Sequence, residues 1–298
     1  MIVCSSPSFI DARNGPTSMG ARIAPPLCPA PTRLSLPPLF RGMFFKSVYH
    51  LLAYYLTLLF FGTFGLVLSL FSLLAGVLPA TPAREHFFQR LIHWNFALFH
   101  WWCRVARLVY VRYRGFEKIP RGGLVLAANH PALIDITCLL ARVPEAVCIF
   151  KPAIRRNPVL GAAARRAGYL ASDGGHEVVR RAADKVAAGH TLVVFPEGTR
   201  TPPGTTLLPL KPGFILIAQL ARAPIQLVRI TTDSDVLTKG RAWWRLPRFP
   251  AHVELTAGPL VATDNATGPA EVAVRMEEWF RSPASGDAAC APVPAPLS

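Results

Sequence analysis

Acidic residues and cysteine motifs are both scarce in this sequence. The 298-residue chain has 17 Asp and Glu against 32 Lys and Arg, which gives a formal net charge of +15. Its six cysteines form no C-x-x-C pair, so a zinc or redox motif of that kind is absent. We interpret the cysteines as buried free thiols in a reducing compartment, and we expect no metal site.

The positive charge indicates an anionic partner, which is either nucleic acid or an anionic membrane surface. Hydrophobic residues make up 51% of the chain, and one long uncharged run lies near its N-terminal end. No nucleic-acid-binding motif is found. The membrane is therefore the expected partner, and nucleic acid is not.

The long apolar run occupies residues 48–78, with no charged residue between Lys46 and Arg84. About 20 apolar residues suffice to cross a bilayer, so we predict a transmembrane or membrane-embedded segment over residues 43–80. Gly62 and Gly65 favour either the close approach of another helix or a break of the run into a re-entrant hairpin.

The two ends of the chain are predicted to be disordered. Residues 1–42 form a Pro-rich extension without the ordered parts of a signal peptide, and residues 282–298 form a small, Pro-rich tail. Met43 opens directly into the apolar run, so we expect it to be the natural start. Mass spectrometry of the natural N-terminus tests this, and a peptide covering residues 33–42 contradicts it.

Residues 81–107 are predicted to form an amphipathic helix lying in the membrane interface. Aromatic and aliphatic residues recur there at spacings of three and four, with basic residues at the edges, as is typical of interfacial helices. A helix packed against the following domain is an equal alternative, and both interpretations are compatible. Trp243 and Trp244, flanked by arginines, are either a membrane-surface patch or a structural aromatic pair.

From residue 108 to residue 281 strands alternate with helices. Short apolar runs bounded by turn residues predict strands at 108–112, 123–128, 146–150, 168–171, 191–195, 225–230 and 252–257. The fold class is therefore α/β: one domain with a mostly parallel sheet flanked by helices, preceded by the membrane segment.

His130 and Asp135 are the candidate catalytic residues. His130 follows the strand at 123–128, and Asp135 is expected about one turn into the next helix. This geometry lets the carboxylate fold back onto the imidazole, fix its tautomer and leave the other ring nitrogen free to accept a proton. No Gly-x-Ser-x-Gly nucleophile elbow is present.

A second candidate stretch is residues 195–200, with sequence Phe-Pro-Glu-Gly-Thr-Arg. It follows the predicted strand at 191–195 and contains a Gly turn and Arg200. Backbone N–H groups and an arginine fork bind phosphate oxygens, so an anionic ligand is expected here. Glu197 is either part of this site or a structural partner of Arg200.

These stretches resemble two of four ordered sequence blocks of the glycerolphosphate acyltransferase superfamily, of the 1-acylglycerol-3-phosphate acyltransferase type. The resemblance covers roughly residues 108–231. The four blocks correspond to residues 130–135, 151–158 with Gly161 and 168–170, 195–200, and 223–228. The second block of this family commonly ends in an arginine, whereas residues 171–175 here read Ala-Ser-Asp-Gly-Gly.

The resemblance implies transfer of a fatty acyl group from acyl-CoA or acyl carrier protein to a lysophospholipid hydroxyl, most simply that of 1-acylglycerol-3-phosphate. His130 and Asp135 would be catalytic. The substrate would be bound by Lys151, Glu197, Gly198, Thr199 and Arg200. No cofactor beyond the thioester co-substrate is implied. The partners would be membrane lipids, at the inner membrane, with the catalytic domain facing the cytoplasm.

Three alternatives remain open. The altered second block suits another acceptor, such as a lyso-ornithine lipid. If the acceptor is instead a glycerol phosphate, Arg155 or Arg156 is either a replacement for the missing arginine or part of a solvated basic face. A non-catalytic scaffold of the same fold and a metal-dependent phosphohydrolase using His130 and Asp135 are the other two.

Overall fold

The computed structural model describes residues 38–77, 79, 81–263 and 268–282, with side chains from residue 45 onward. Within these ranges the chain forms seven strands and seven α-helices. The strands are β1 (Val109–Arg114), β2 (Leu124–Ala128), β3 (Ala146–Phe150), β4 (Leu170–Ala171), β5 (Thr191–Val194), β6 (Ile225–Thr232) and β7 (Ala251–Val261). The helices are α1 (Pro38–Leu74), α2 (Pro82–Val105), α3 (Asp135–Leu140), α4 (Gly161–Arg166), α5 (His176–Ala187), α6 (Gly213–Ala221) and α7 (Pro269–Arg281).

The strands form one sheet in the order β1-β7-β6-β2-β5-β3-β4. Five of the neighbouring pairs are parallel, and the β6–β7 pair is antiparallel. The predicted α/β fold with a mostly parallel sheet is confirmed, with a strand at each of the seven predicted places.

The central strand β2 shows why these strands are continuous apolar runs. All five of its residues are buried. Leu124, Leu126 and Ala128 belong to one hydrophobic cluster, and Val125 and Ala127 belong to the other. Successive side chains of a strand point to opposite faces, so both faces of the sheet are covered and no polar alternation is needed.

Helices cover the sheet from both sides. The cluster containing Leu124 includes buried residues of α2 and α3, such as Phe88 and Cys138. The cluster containing Val125 includes residues of α5, α6 and α7, such as Ile215 and Met276. The result is a three-layer arrangement, in which the carboxyl ends of the parallel strands remain open between the layers.

Helix α1 is the one described helix that is long and apolar enough to cross a membrane, judged by its length and composition over Phe45–Val77. It begins at Pro38, inside the segment predicted as a disordered extension, whereas residues 1–37 lie outside the described ranges. The helix runs unbroken through Gly62 and Gly65. The re-entrant hairpin is therefore wrong. A close approach is found at Gly65 alone, where a Cβ would lie 2.2 Å from Val159, and Val159 lies in the turn before α4 and not in another helix; a Cβ on Gly62 would have nothing within 4 Å.

Contacts with the rest of the chain extend along most of α1. In its first half, the Tyr49 hydroxyl donates to the Ala106 carbonyl at 3.0 Å, and the Tyr55 hydroxyl donates to the Trp244 carbonyl at 2.9 Å. In its middle, Phe60 stacks on Trp102 with ring centroids 5.2 Å apart. Near its end, Arg166 donates to the Ser72 carbonyl at 3.2 Å, which supplies a cation at the carboxyl end of a helix that has none in its own last turn.

Helix α2 has two apolar faces. One face is buried in the core and contains Phe88, Ile92, Phe96, Phe99 and Cys103. The other face is largely exposed, and it includes Phe87, Trp94, Leu98, Trp101 and Val105. The helix therefore packs against the domain, as one of the two predicted alternatives has it, and it also keeps an exposed apolar face.

The buried contact between α2 and α3 predicts a pH-dependent loss of stability. His100 of α2 lies 3.0 Å from the Thr137 hydroxyl, and burial lowers the pKa of His100 from 6.5 to about 4. In the unfolded chain this histidine binds a proton below pH 6.5, whereas in the folded chain it does not do so until about pH 4. Stability is therefore full above pH 6.5 and falls below it, by about 2 kcal/mol at pH 5.

This dependence is measured by comparing unfolding of the detergent-solubilised protein at pH 7.5 and pH 5. His100→Gln keeps a polar partner for Thr137 and removes the titrating group. It should therefore abolish the part of the stability loss at pH 5 that His100 causes. His176→Gln, at an exposed histidine, is the matched control. An equal acid loss in His100→Gln and in the wild type would contradict the assignment.

Candidate active site

The carboxyl ends of β2, β5 and β3 lie side by side at one edge of the sheet. Because β2 pairs with β5 and β5 pairs with β3, all in parallel, the residues that follow these strands emerge together. They are residues 129–135 after β2, residues 195–200 after β5 and Lys151 after β3. The fold thus brings three of the four predicted sequence blocks to one edge.

Asn129 fixes the start of the loop after β2. Its amide donates to the Ile230 carbonyl at 2.9 Å and accepts from the Ile230 N–H at 2.7 Å. The backbone pairing of β2 with β6 ends at Ala128, and the Asn129 side chain adds two further hydrogen bonds between these segments. The next residue, His130, therefore leaves the sheet from a fixed position.

His130 is held at its ring and at its backbone. Its Nδ1 lies 3.0 Å from Asp135 Oδ2, and its ring stacks on Phe195 with centroids 3.9 Å apart and planes 12° apart. Its N–H donates to Glu197 at 2.9 Å, and its carbonyl accepts from the Thr201 N–H at 2.8 Å. The side chain is still 13% exposed, and Nε2 has no partner among the described residues.

Asp135 is fully buried and is the first residue of α3, not one turn inside the helix as expected. Oδ2 accepts from His130 and from the Ala132 N–H at 2.7 Å, while Oδ1 has no partner among the described residues. Burial raises the pKa of Asp135, and the hydrogen bonds from His130 and Ala132 act against that rise. The dyad orients Nδ1 inward and Nε2 outward.

Glu197 joins three separate pieces of chain. Its carboxylate is 3% exposed and accepts from the His130 N–H, the Thr201 hydroxyl at 2.6 Å and the Leu208 N–H at 2.9 Å. Arg200 is not among these partners, which excludes the structural pair considered from the sequence. Both carboxylate oxygens are used within the protein.

Arg200 points toward the segment after β6. Its Nη1 donates to the Leu237 carbonyl at 2.8 Å and to the Thr238 carbonyl at 3.3 Å, and the residue is half-buried. These bonds engage one of its nitrogens. The preceding turn needs a glycine, because Gly198 has φ +69° and a Cβ there would lie 2.9 Å from Lys211 Nζ; Thr199 is half-buried beside it.

Lys151 lies at the same sheet edge and is exposed. Within the described ranges, its ammonium group forms no ion pair. At the end of the second block, β4 stops at Ala171, and residues 172–175 are exposed. No basic side chain stands at the place where the family commonly has its second-block arginine.

A cleft of about 290 Å³ opens beside the dyad. Its walls come from both sides of His130, at Asn129 and Pro131, and from the residues after Thr201 and β6. Many lining residues carry a hydroxyl or a charge. They include Thr201, Thr205, Thr206, Thr232, Ser234, Thr238, Asp235 and Arg248. In the described part of the chain, no group of three or more His, Cys, Asp or Glu is arranged to hold a metal ion.

Three structural partners of the site were not predicted as such. Phe195 carries the His130 ring, Asn129 ties the loop to β6, and Thr201 bonds both to the His130 carbonyl and to Glu197. The position of Phe195 follows from the register of β2 and β5. Val194 pairs with Ala127, which places the ends of the two strands side by side. The other two contacts join distant segments.

Comparison with known proteins finds a family model that matches part of this chain. Residues 110–231 match the family model described as Acyltransferase. The matched residues are similar to proteins of the glycerolphosphate acyltransferase superfamily. The resemblance stated from the sequence blocks is thereby confirmed.

Two curated relatives and one solved structure illustrate the range of the match. The 1-acyl-sn-glycerol-3-phosphate acyltransferase of Helicobacter pylori is 32% identical over 111 residues, covering 35% of this chain and 47% of that protein. The lyso-ornithine lipid O-acyltransferase of Pseudomonas aeruginosa is 29% identical over 185 residues, covering 60% of this chain and 67% of that protein. The match to the Helicobacter protein thus spans about half of its length.

The solved structure is the 1-acyl-sn-glycerophosphate (LPA) acyltransferase of Thermotoga maritima. It superposes with a TM-score of 0.61 at 24% identity, covering 80% of this chain and 95% of that chain. At this identity the likeness establishes the fold alone.

Proposed function

We propose that this protein transfers a fatty acyl group from acyl-CoA or acyl carrier protein to the hydroxyl of a lysophospholipid, with 1-acylglycerol-3-phosphate as the first candidate acceptor. The observation that carries the proposal is the His130–Asp135 dyad. One ring nitrogen is held at 3.0 Å by a buried carboxylate, and the other is accessible. Such a histidine is set up to act as a general base.

The proposed chemistry needs one proton transfer and one acyl transfer. Nε2 of His130 removes the acceptor hydroxyl proton as that oxygen attacks the thioester carbonyl. Asp135 keeps the proton on Nδ1 and stabilises the charged imidazole that forms. Collapse of the tetrahedral intermediate expels the thiolate, which takes the proton back from Nε2. Phe195 fixes the ring plane by stacking.

The loop at residues 195–200 is assigned two different roles. Glu197 is a positioning residue rather than the substrate-binding residue expected from the sequence, because its oxygens hold His130, Thr201 and Leu208. Arg200, Thr199 and the backbone at Gly198 remain the proposed anion-binding group, with Lys151 beside the developing oxyanion. The unengaged guanidinium nitrogens of Arg200 are the donors available to a phosphate.

A lyso-ornithine lipid is the second candidate acceptor. The specific observation in its favour is the Ala171–Gly175 stretch, which offers no arginine to a glycerol phosphate. The Pseudomonas relative of that name also aligns over more of this chain than the Helicobacter relative does. This alternative keeps the same dyad and changes the headgroup that faces Arg200.

We propose that the protein acts at a membrane, with its domain on the cytoplasmic side, where acyl thioesters are found. Exposed apolar side chains lie along α1, on the outward face of α2 and at Trp243 and Trp244. These surfaces adjoin one another, since Tyr55 contacts Trp244 and Phe60 contacts Trp102. Membrane lipids are the partner that such a surface fits.

The experiment that tests the function offers labelled acyl-CoA and labelled acyl carrier protein to the detergent-solubilised protein. Each donor is combined with lysophosphatidic acid and with lyso-ornithine lipid. Transfer to lysophosphatidic acid supports the first candidate, and transfer only to lyso-ornithine lipid supports the second. No transfer with any pair, from protein that is folded, would contradict an acyltransferase and favour the scaffold.

Arg200→Ala is predicted to raise the KM for a phosphorylated acceptor about tenfold or more, because a charge-assisted phosphate contact is lost. The KM for a phosphate-free acceptor should change much less. Arg121→Ala, at an exposed arginine before β2, is the matched control. Equal changes for both acceptors would show that Arg200 only supports the segment at Leu237 and Thr238.

A further inference from the structure

A groove of about 360 Å³ separates α1 from the segment that leads into α4. One wall is apolar and comes from α1, with Leu66, Leu70 and Leu73 each more than half exposed. The other wall is basic and contains Arg155, Arg156 and Arg165. None of its lining residues belongs to the 129–135 or 195–200 loops, so the groove is separate from the cleft beside His130.

Close backbone contacts give the groove a fixed shape. Gly65 brings α1 onto Val159, and Gly161 brings α4 onto the Arg155 carbonyl, where a Cβ would lie at 2.5 Å. The Asn157 side chain accepts from the N–H groups of Val159 and Leu160 at 2.8 and 3.1 Å. The segment that carries the basic wall is therefore fixed by its own hydrogen bonds, and it packs on the apolar helix at Gly65.

The positive charge of this wall is not neutralised within the described part of the chain. Arg155, Arg156 and Arg165 form no ion pair there, and all three are exposed. Arg165 donates to the Arg155 carbonyl, which gathers the three side chains at one place. Asp173 lines the adjoining cavity of about 610 Å³ on the outer side of the same arginines, at more than ion-pair distance.

The combination specifies the chemistry of the occupant. An unpaired cluster of arginines prefers phosphate oxygens, and the exposed leucines of a long apolar helix prefer hydrocarbon. A soluble anion would leave the leucines uncovered, and a neutral lipid would leave three guanidinium groups without a counter-charge. A molecule with an anionic headgroup and an acyl chain satisfies both walls.

We propose that this groove binds an anionic phospholipid of the surrounding membrane. Its phosphate lies against Arg155 and Arg156, and one acyl chain follows α1 from Leu66 to Leu73. The bound lipid ties the helix to the second sequence block, whose Lys151 stands at the edge of the proposed active site. It is a resident lipid and not the acyl acceptor, because the dyad and Arg200 lie outside the groove.

The test measures lipid binding and does not depend on catalysis. Full-length protein carrying His130→Ala, which cannot consume lipid by the proposed mechanism, is purified in neutral detergent. Titration with dioleoyl phosphatidylglycerol and with dioleoyl phosphatidylcholine is followed by native mass spectrometry. We expect one tightly held phosphatidylglycerol and about tenfold weaker retention of phosphatidylcholine, since headgroup charge is the main difference.

Paired variants separate this groove from general surface charge. Arg155→Gln with Arg156→Gln should weaken phosphatidylglycerol binding about tenfold. Arg180→Gln with Arg181→Gln, an exposed consecutive pair on α5, removes the same charge and should leave binding unchanged. Equal weakening by both pairs, or equal affinity for the two lipids, would overturn the proposal.

Two further measurements keep the result decisive. Leu70→Gln changes only the apolar wall, at an exposed position, and should also weaken phosphatidylglycerol binding. It tests the groove independently if the double arginine variant does not fold. Glycerol phosphate should fail to displace the lipid at equal concentration, because it lacks the chain. Displacement by glycerol phosphate, or unchanged binding in Leu70→Gln, would show a headgroup site without a lipid groove. Failure of acyl transfer in the wild type would leave this binding result standing.

Discussion

His130→Ala should reduce kcat/KM for acyl transfer by about a thousandfold, which is within the usual contribution of a general base. The variant removes the accessible Nε2, and no other described side chain shares its contact with Asp135. Binding of lysolipid and attachment to membranes should persist, because neither depends on the imidazole. The measurement is initial-rate kinetics with labelled acyl-CoA over a range of acceptor concentrations.

His176→Ala, at an exposed histidine on α5, is the matched control and should retain full activity. Thermal unfolding of both variants should stay close to that of the wild type, since His130 lies at the edge of the core. Turnover by His130→Ala within a few-fold of the wild type would contradict the proposed mechanism. It would also return the scaffold and the phosphohydrolase to consideration.

Asp135→Asn should lower kcat about a thousandfold or more while leaving the acceptor KM nearly unchanged. The amide has the shape of the carboxylate, but it can donate to Nδ1 and so favours the tautomer with the proton on Nε2, which cannot act as a base. It also removes the negative charge that stabilises the imidazolium. Asp135 does not touch substrate, so the loss should appear in kcat.

Stability distinguishes this positioning role from a structural one. The Asp135 carboxylate is buried with one oxygen unpaired, and burial raises its pKa, so a neutral amide should not destabilise the fold. We expect the unfolding temperature of Asp135→Asn to equal or exceed that of the wild type. A marked drop in that temperature, with kcat unchanged in the remaining folded protein, would show that Asp135 mainly holds the loop.

Much of the fold was accessible from the sequence because its signals are local. Each strand is a short apolar run bounded by turn residues, and β2 shows the cause, since both of its faces are buried. The spacing of His130 and Asp135 predicted their contact, because only four residues separate them in the sequence. Catalytic and substrate-binding roles stay predictions until the kinetic tests are made.

The rest depended on contacts between distant parts of the chain. Glu197 bonds to His130 across 67 positions, and Asn129 reaches Ile230 across 101 positions. Nothing near these residues in sequence indicates such partners. In α2, the spacing identified apolar stripes but not which of them is buried, since that depends on where α3 and the sheet lie.

The position of α1 has a practical consequence for handling this protein. Residues up to about 80 resemble a removable membrane anchor, yet this helix covers Trp102 and Val159, and Arg166 of α4 donates to a carbonyl near its end. A shortened form lacking it would expose aromatic surface of α2 and the edge of α4, and would aggregate rather than dissolve. The helix belongs to the wall of the domain, and soluble versions are better sought by changing its outward leucines to polar residues.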